Sequence, residues 1–172
     1  VSEGVTTIVG IDPGLVHNGV VAVEFYPGLK QIEVKHAAIA GNQEPADISL
    51  AILQWVADEV GWPEVDQTYV ESYRERGQAY ATSPKMRAIL AELRRDLPEA
   101  KILDNTGIKK VVRPKLLDLL GLRSFPTTHH QDLQSAARIL VLGMLKDEEL
   151  NALLADVVLA YISGTPWQVA HV

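Results

Sequence analysis

The first forty residues allow few folds, because they form three β-rich runs in succession before any helical pattern appears. Val5 to Ile11 is a short apolar run that stops at Asp12-Pro13-Gly14. Gly19-Val20-Val21-Ala22-Val23 resumes it after a turn containing Asn18-Gly19, and Gln31 to Ile39 alternates weakly as a third strand. From Asp47 the period lengthens to a helical one, with Leu50, Ile52, Leu53, Val56 and Val60 apolar. Thr68-Tyr69-Val70 is a fourth strand leading into Glu71, and Thr82-Ser83-Pro84 opens a helix that runs to about Asp96. Lys101-Ile102-Leu103 is a fifth strand. Short helices are expected on either side of Pro114, and two longer ones finish the chain, from near Thr128 through Leu145 and from about Glu148 to Ile162. The order βββαβαβα predicts an α/β fold in which a five-stranded mixed sheet, three strands antiparallel and two parallel, is flanked by helices.

At 172 residues, with no repeats or linkers, the chain reads as a single domain spanning residues 1–172. It has no cysteine, so a bound metal would have to be held by carboxylate, imidazole or carbonyl groups, which favours a hard divalent cation. The absence of a signal peptide and of a long apolar run leads to the expectation of a cytoplasmic protein with no membrane contact. The net charge of −6 is unpromising for a nucleic-acid binder until the charges are placed. Between Arg74 and Arg138 lie thirteen of the sixteen basic residues and seven acidic ones, a balance of +6 that leaves −12 for the rest. Such asymmetry suits a face that tracks a polyanion, and equally a set of solvated charged helices.

In the predicted sheet, Asp12 ends the first strand, Glu71 ends the fourth, and Asp132 sits in the first turns of a helix able to cross the same edge. Clustered carboxylates repel one another, and one or two divalent cations between them relieve the repulsion. Such a site can hydrolyse phosphodiesters by activating water and stabilising the leaving oxygen. His129 lies three residues before Asp132, so on a helix both project from one face, and its imidazole can ligate a metal, orient the water or shuttle a proton. Singly, each residue has a plainer explanation: Asp-Pro-Gly as a turn, Glu71 as a solvated strand end, and Thr128 to Asp132 as a capped helix start. Their combination and order carry the weight.

Ile8-Val9-Gly10-Ile11-Asp12-Pro13-Gly14 with Gly19-Val20-Val21-Ala22-Val23, then Tyr69-Val70-Glu71, then His129-x-x-Asp132 resemble, in that order, the acidic motifs of the RuvC Holliday-junction resolvases of the RNase H-like superfamily. The resemblance covers nearly the whole chain. It implies a homodimeric endonuclease that uses Mg2+ or Mn2+ and nicks four-way DNA junctions symmetrically, with Asp12, Glu71, His129 and Asp132 as catalytic and metal-binding residues. Thr127 to Arg138 looks more like the bacteriophage members than the bacterial ones, which would place the protein in the cytoplasm of a host cell. Two departures stand out. Leu133-Gln134-Ser135 replaces the Asp-Ala-Leu-Ala pattern of bacterial members, and Arg74 occupies the position of an aromatic wedge, with Tyr73 the nearest aromatic. The second departure implies looser selectivity, extending to flaps and other branched DNA.

With the resemblance in place, Tyr73, Arg74, Arg76, Lys85, Lys109, Lys110 and Lys115 become the candidate DNA contacts. The stripe Met86, Ile89, Leu90 and Leu93 offers either a dimer contact or plain core. Three other readings compete. The opening Gly-Ile-Asp-x-Gly also resembles the phosphate loop of actin-like and sugar-kinase ATPases, but the chain has room for one lobe and no second glycine-rich loop. A sister nuclease cutting flaps or RNA–DNA hybrids could use the same carboxylates. A branched-DNA-binding module without catalysis would keep the fold and lose the chemistry.

Overall fold

The computed structural model describes residues 4–72 and 84–172. Its elements are β1 (Thr6–Asp12), β2 (His17–Tyr26), β3 (Gln31–Ala40), α1 (Pro45–Glu59), β4 (Gln67–Ser72), α2 (Pro84–Asp96), β5 (Lys101–Asp104), α3 (Ile108–Val111), α4 (Pro114–Leu119), α5 (His130–Lys146), α6 (Glu148–Ile162) and β6 (Gln168–His171). The strands form one sheet in the order β5-β4-β1-β2-β3-β6. β1, β2 and β3 are antiparallel neighbours, and β4 and β5 run parallel to β1.

The sheet has six strands where five are expected. The sixth, β6, adds parallel to the outer edge of β3 by pairing Gln31 through Val34 with Gln168 through His171. Four largely exposed residues carry no period-two pattern of their own, so the free edge of β3 is what makes them a strand. Asn18-Gly19 is likewise not in the turn. Both residues lie inside β2, where the buried Asn18 side chain accepts a hydrogen bond from the Gly14 N–H at 3.0 Å and donates to the Ile39 carbonyl at 3.3 Å. Asn18 thus shapes the β1–β2 connection from within the strand.

Side chains alternating along β1 enter two separate cores. Ile8 belongs to the core under α5 on one face, while Val9 and Ile11 share a core with Ile48, Ile52 and Val56 of α1 and with Ile89 and Leu93 of α2 on the other. A strand buried on both faces reads as a continuous apolar run, which explains Ile8 to Ile11. Ile89 and Leu93 are fully buried within the chain, so half of the α2 stripe is core and unavailable to a dimer partner.

α5 lies closest to the sheet, and glycine makes its approach possible. A Cβ on Gly10 would overlap the Ala136 carbonyl oxygen and stand 2.7 Å from the Leu140 Cβ. On Gly19 it would overlap the Asp132 carbonyl oxygen and stand 2.8 Å from its carbon. Further along α5, Gly143 leaves room for the Tyr69 ring. These three positions bring the helix axis down onto β1, β2 and β4.

Candidate active site

The register of the central strands sets the geometry. Ile11 of β1 pairs with Val70 of β4, so one step further along these parallel strands Asp12 stands beside Glu71. On its other side Asp12 pairs with Gly19 of β2. Alternation from Ile8 and Tyr69, both in the core under α5, puts Asp12 and Glu71 on the α5 face of the sheet. The two carboxylates are 7% and 5% exposed, which is unusual for ionisable groups and requires partners.

Asn105, just after β5, donates from its side-chain amide to Glu71 Oε1. Among the described residues, Glu71 Oε2 is buried with no hydrogen-bond partner. A carboxylate oxygen left in this state is one that a cation can satisfy.

The first turn of α5 covers the same edge. Asp132 lies over Gly19, and its carboxylate, the His129 ring and the His17 ring offer ligand atoms that all lie within 4.8 Å of one another, each side chain half-buried. The two imidazoles are in contact, with centroids 4.0 Å apart and planes tilted by 42°. His129 and Asp132 therefore come together as their spacing predicts, while Asp12 and Glu71 stand outside this close group, in the strands beneath. Thr128 does not cap the helix. The position before α5 is His129, without a side-chain cap, and the Thr127 hydroxyl accepts from the His129 N–H at 3.4 Å.

Of the predicted DNA contacts, Tyr73, Arg74 and Arg76 lie outside the described residues, as does the Thr82-Ser83 helix start. Lys85, at the start of α2, donates its ammonium to the Gly41 carbonyl, and Gly41 N–H in turn bonds to the Val16 carbonyl at 2.8 Å, so Lys85 braces the β1–β2 connection. Lys109 and Lys110 are exposed on α3, which follows Asn105 and packs on α5. Lys115 is turned toward α6, its ammonium 4.5 Å from the centre of the Tyr161 ring.

Asn105 and His17 are the site neighbours that sequence reasoning missed. Asn105 follows a strand and looks like an ordinary turn residue. His17 shares a strand face with Gly19, but its meeting with His129 depends on where α5 crosses the sheet. A cavity of about 510 Å3, lined by Leu53, Trp62, Asp66, Gln67 and Asp96 among others, lies at the opposite end of β4 from Glu71. The carboxylates thus sit at a sheet edge and not in that cavity.

A mixed sheet between two helical layers, with paired acidic residues where its central parallel strands end, defines the architectural class. Within that class the chain is similar in structure to Thermus thermophilus RuvC. One such structure is 17% identical, covers 79% of this chain and 92% of its own, and superposes with a TM-score of 0.54. A second, of T. thermophilus RuvC in complex with a Holliday-junction substrate, is 16% identical over 79% of this chain and 90% of that one, with a TM-score of 0.53. A fowlpox virus resolvase bound to Holliday-junction DNA is a weaker likeness, 10% identical over 87% of this chain and 99% of that one, with a TM-score of 0.48. No protein-family model and no curated protein matches the sequence. The fold is the RNase H-like fold of RuvC.

Proposed function

We propose that the chain is a divalent-metal-dependent DNA endonuclease that cuts four-way junctions, and that it acts as a homodimer because symmetric nicks require two sites. The observation that carries this reading is the pair of buried carboxylates, Asp12 and Glu71, side by side on adjacent parallel strands beneath a helix that brings Asp132 to the same edge. Two buried carboxylates on one face are hard to account for by packing, since apolar residues there would be cheaper to bury.

The residues fit Mg2+ or Mn2+. Asp12, Glu71 and Asp132 supply hard oxygen donors, and Glu71 Oε2, buried with no hydrogen-bond partner among the described residues, is an acceptor that a cation can satisfy. Bound there, a cation supplies Lewis acidity at the scissile phosphate and lowers the pKa of an attacking water. The chain's own part is positional. Asn105 fixes one Glu71 oxygen and leaves the other without a partner among the described residues, while the α5 backbone seated on Gly19 sets where Asp132 stands. His129 is placed beside Asp132 to hold or pass a proton at the edge of the site.

The test is cleavage of end-labelled four-way junction, flap, linear duplex and RNA–DNA hybrid with Mg2+, Mn2+ or EDTA. Symmetric, metal-dependent nicks in the junction are expected. Preference for flap or hybrid would move the substrate to a sister nuclease, and no cutting of any substrate would leave a binding module.

Two further outcomes follow. Asn105→Ala removes the donor that orients Glu71, and should weaken metal affinity by about tenfold or more, as loss of a ligand's hydrogen-bond partner commonly does. A calorimetric Mn2+ titration indistinguishable from wild type would reject that role. Replacing Lys109 and Lys110 with glutamine should lower the slope of log K against log salt for junction binding by about 1 per lysine. An unchanged slope would mean that neither touches phosphate.

A further inference from the structure

We propose that His17, which the nuclease reading leaves unused, joins His129 and Asp132 to form a two-imidazole, one-carboxylate site that binds a transition-metal ion in preference to Mg2+. The proposal deepens the reading above and rests on it for the metal-binding character of this edge.

The three donors come from two elements whose positions are fixed independently of any ligand. His17 is the first residue of β2, paired across to Ala40 of β3, and lies two residues before Gly19 on the face that α5 covers. The first turn of α5 is seated on Gly19, and His129 and Asp132 belong to that turn or its boundary. Their ligand atoms lie within 4.8 Å of one another, close enough for one ion to sit among them after small side-chain rotations. His129 has no capping duty that would hold its ring elsewhere. All three side chains are half-buried, so the site is shielded yet open to an entering ion.

The donor set decides the ion. Imidazole nitrogen binds Co2+, Ni2+ and Zn2+ far better than Mg2+, which prefers oxygen ligands and gives up water reluctantly. Two imidazoles and one carboxylate on one side of an ion leave its remaining positions open for water or a phosphate oxygen. Asp12 and Glu71, with oxygen donors alone, favour the harder ion. The edge thus carries two kinds of ligand set.

The test uses Co2+ as the probe with the full-length chain. Visible absorption and calorimetry should report Co2+ binding that persists in a large excess of Mg2+ and weakens at least about tenfold in His17→Ala and in His17→Gln. In the wild-type chain, the imidazole 15N resonances of His17 and His129 should shift together on Co2+ addition. Equal Co2+ affinity in wild type and the His17 variants would overturn the site, and so would a His17 resonance that ignores saturating Co2+. Should a His17 variant melt early, the wild-type resonances decide alone. Co2+ binding through His17 without cleavage of any junction would sink the nuclease reading and keep this site. Asp12-dependent cleavage with Co2+ binding indifferent to His17 would do the reverse.

Discussion

Asp12→Asn should reduce junction cleavage on the order of a thousandfold or more, while the protein still folds and still binds the junction. The change keeps the size and shape of a side chain that is 7% exposed, so packing is preserved. What disappears is a negative charge beside Glu71, at the place where a cation would be held. A thousandfold loss corresponds to about 4 kcal/mol of barrier lowering, a reasonable share for one ligand of a catalytic metal. Glu71→Gln should do the same, because the amide replaces a carboxylate, one of whose oxygens has no partner among the described residues, with a group of weak metal affinity. The folded state is a separate matter. Removing one of two adjacent carboxylate charges relieves the repulsion between them, and each amide keeps the shape of the side chain it replaces, so both variants should still fold. Single-turnover cleavage and thermal melting of the two variants, measured side by side, check this. Wild-type cleavage rates in Asp12→Asn would show that the site is wrongly placed, and a collapsed melting temperature would make Asp12 a structural residue.

The second large effect is expected from a residue with no side chain to offer. In Gly19→Ala the added methyl would overlap the Asp132 backbone, where the nearest carbon is 2.8 Å away and no flexible side chain can give way. Either the sheet edge or the first turn of α5 must move. Overpacking of this kind costs roughly 1–3 kcal/mol. The same displacement shifts Asp132 and His129 relative to Asp12, so activity should fall by more than the folded fraction does. A misplacement of about 1 Å in a catalytic group commonly costs on the order of a hundredfold. Gly10→Ala meets Ala136 and Leu140 one turn further along α5 and should cost similar stability with a smaller effect on rate, since it lies further from the carboxylates. Denaturant melts and cleavage rates of the two variants separate the effects. Equal losses of rate at equal losses of stability would mean that α5 moves as a rigid unit and that Gly19 holds no special place.

Legible in the residues alone were the order of the elements from β1 to α6, the buried central strand and the placement of Asp12 and Glu71 toward strand ends. Each of these is a local matter. Ile8 to Ile11 reads as a strand because both of its faces are apolar, Pro13 and Gly14 end it, and the helical periods after Asp47 and Glu148 are carried by their own residues. The partnership of His129 with Asp132 was legible for the same reason, since a spacing of three on one helix fixes which side chains share a face.

Everything that depends on how separate elements meet lay beyond the linear pattern. β6 exists because β3 offers a free edge, Ile89 and Leu93 are core because α1 lies opposite them, and Asn18 belongs to a strand because Gly14 and Ile39 supply its partners. His17 approaches His129, and Asn105 reaches Glu71, across separations in sequence that no periodicity encodes. The second meeting is set by the register of β4 with β5, and the first by the depth at which α5 sits on the sheet, a depth that follows from the steric room at Gly10, Gly19 and Gly143, which a linear pattern registers only as missing side chains.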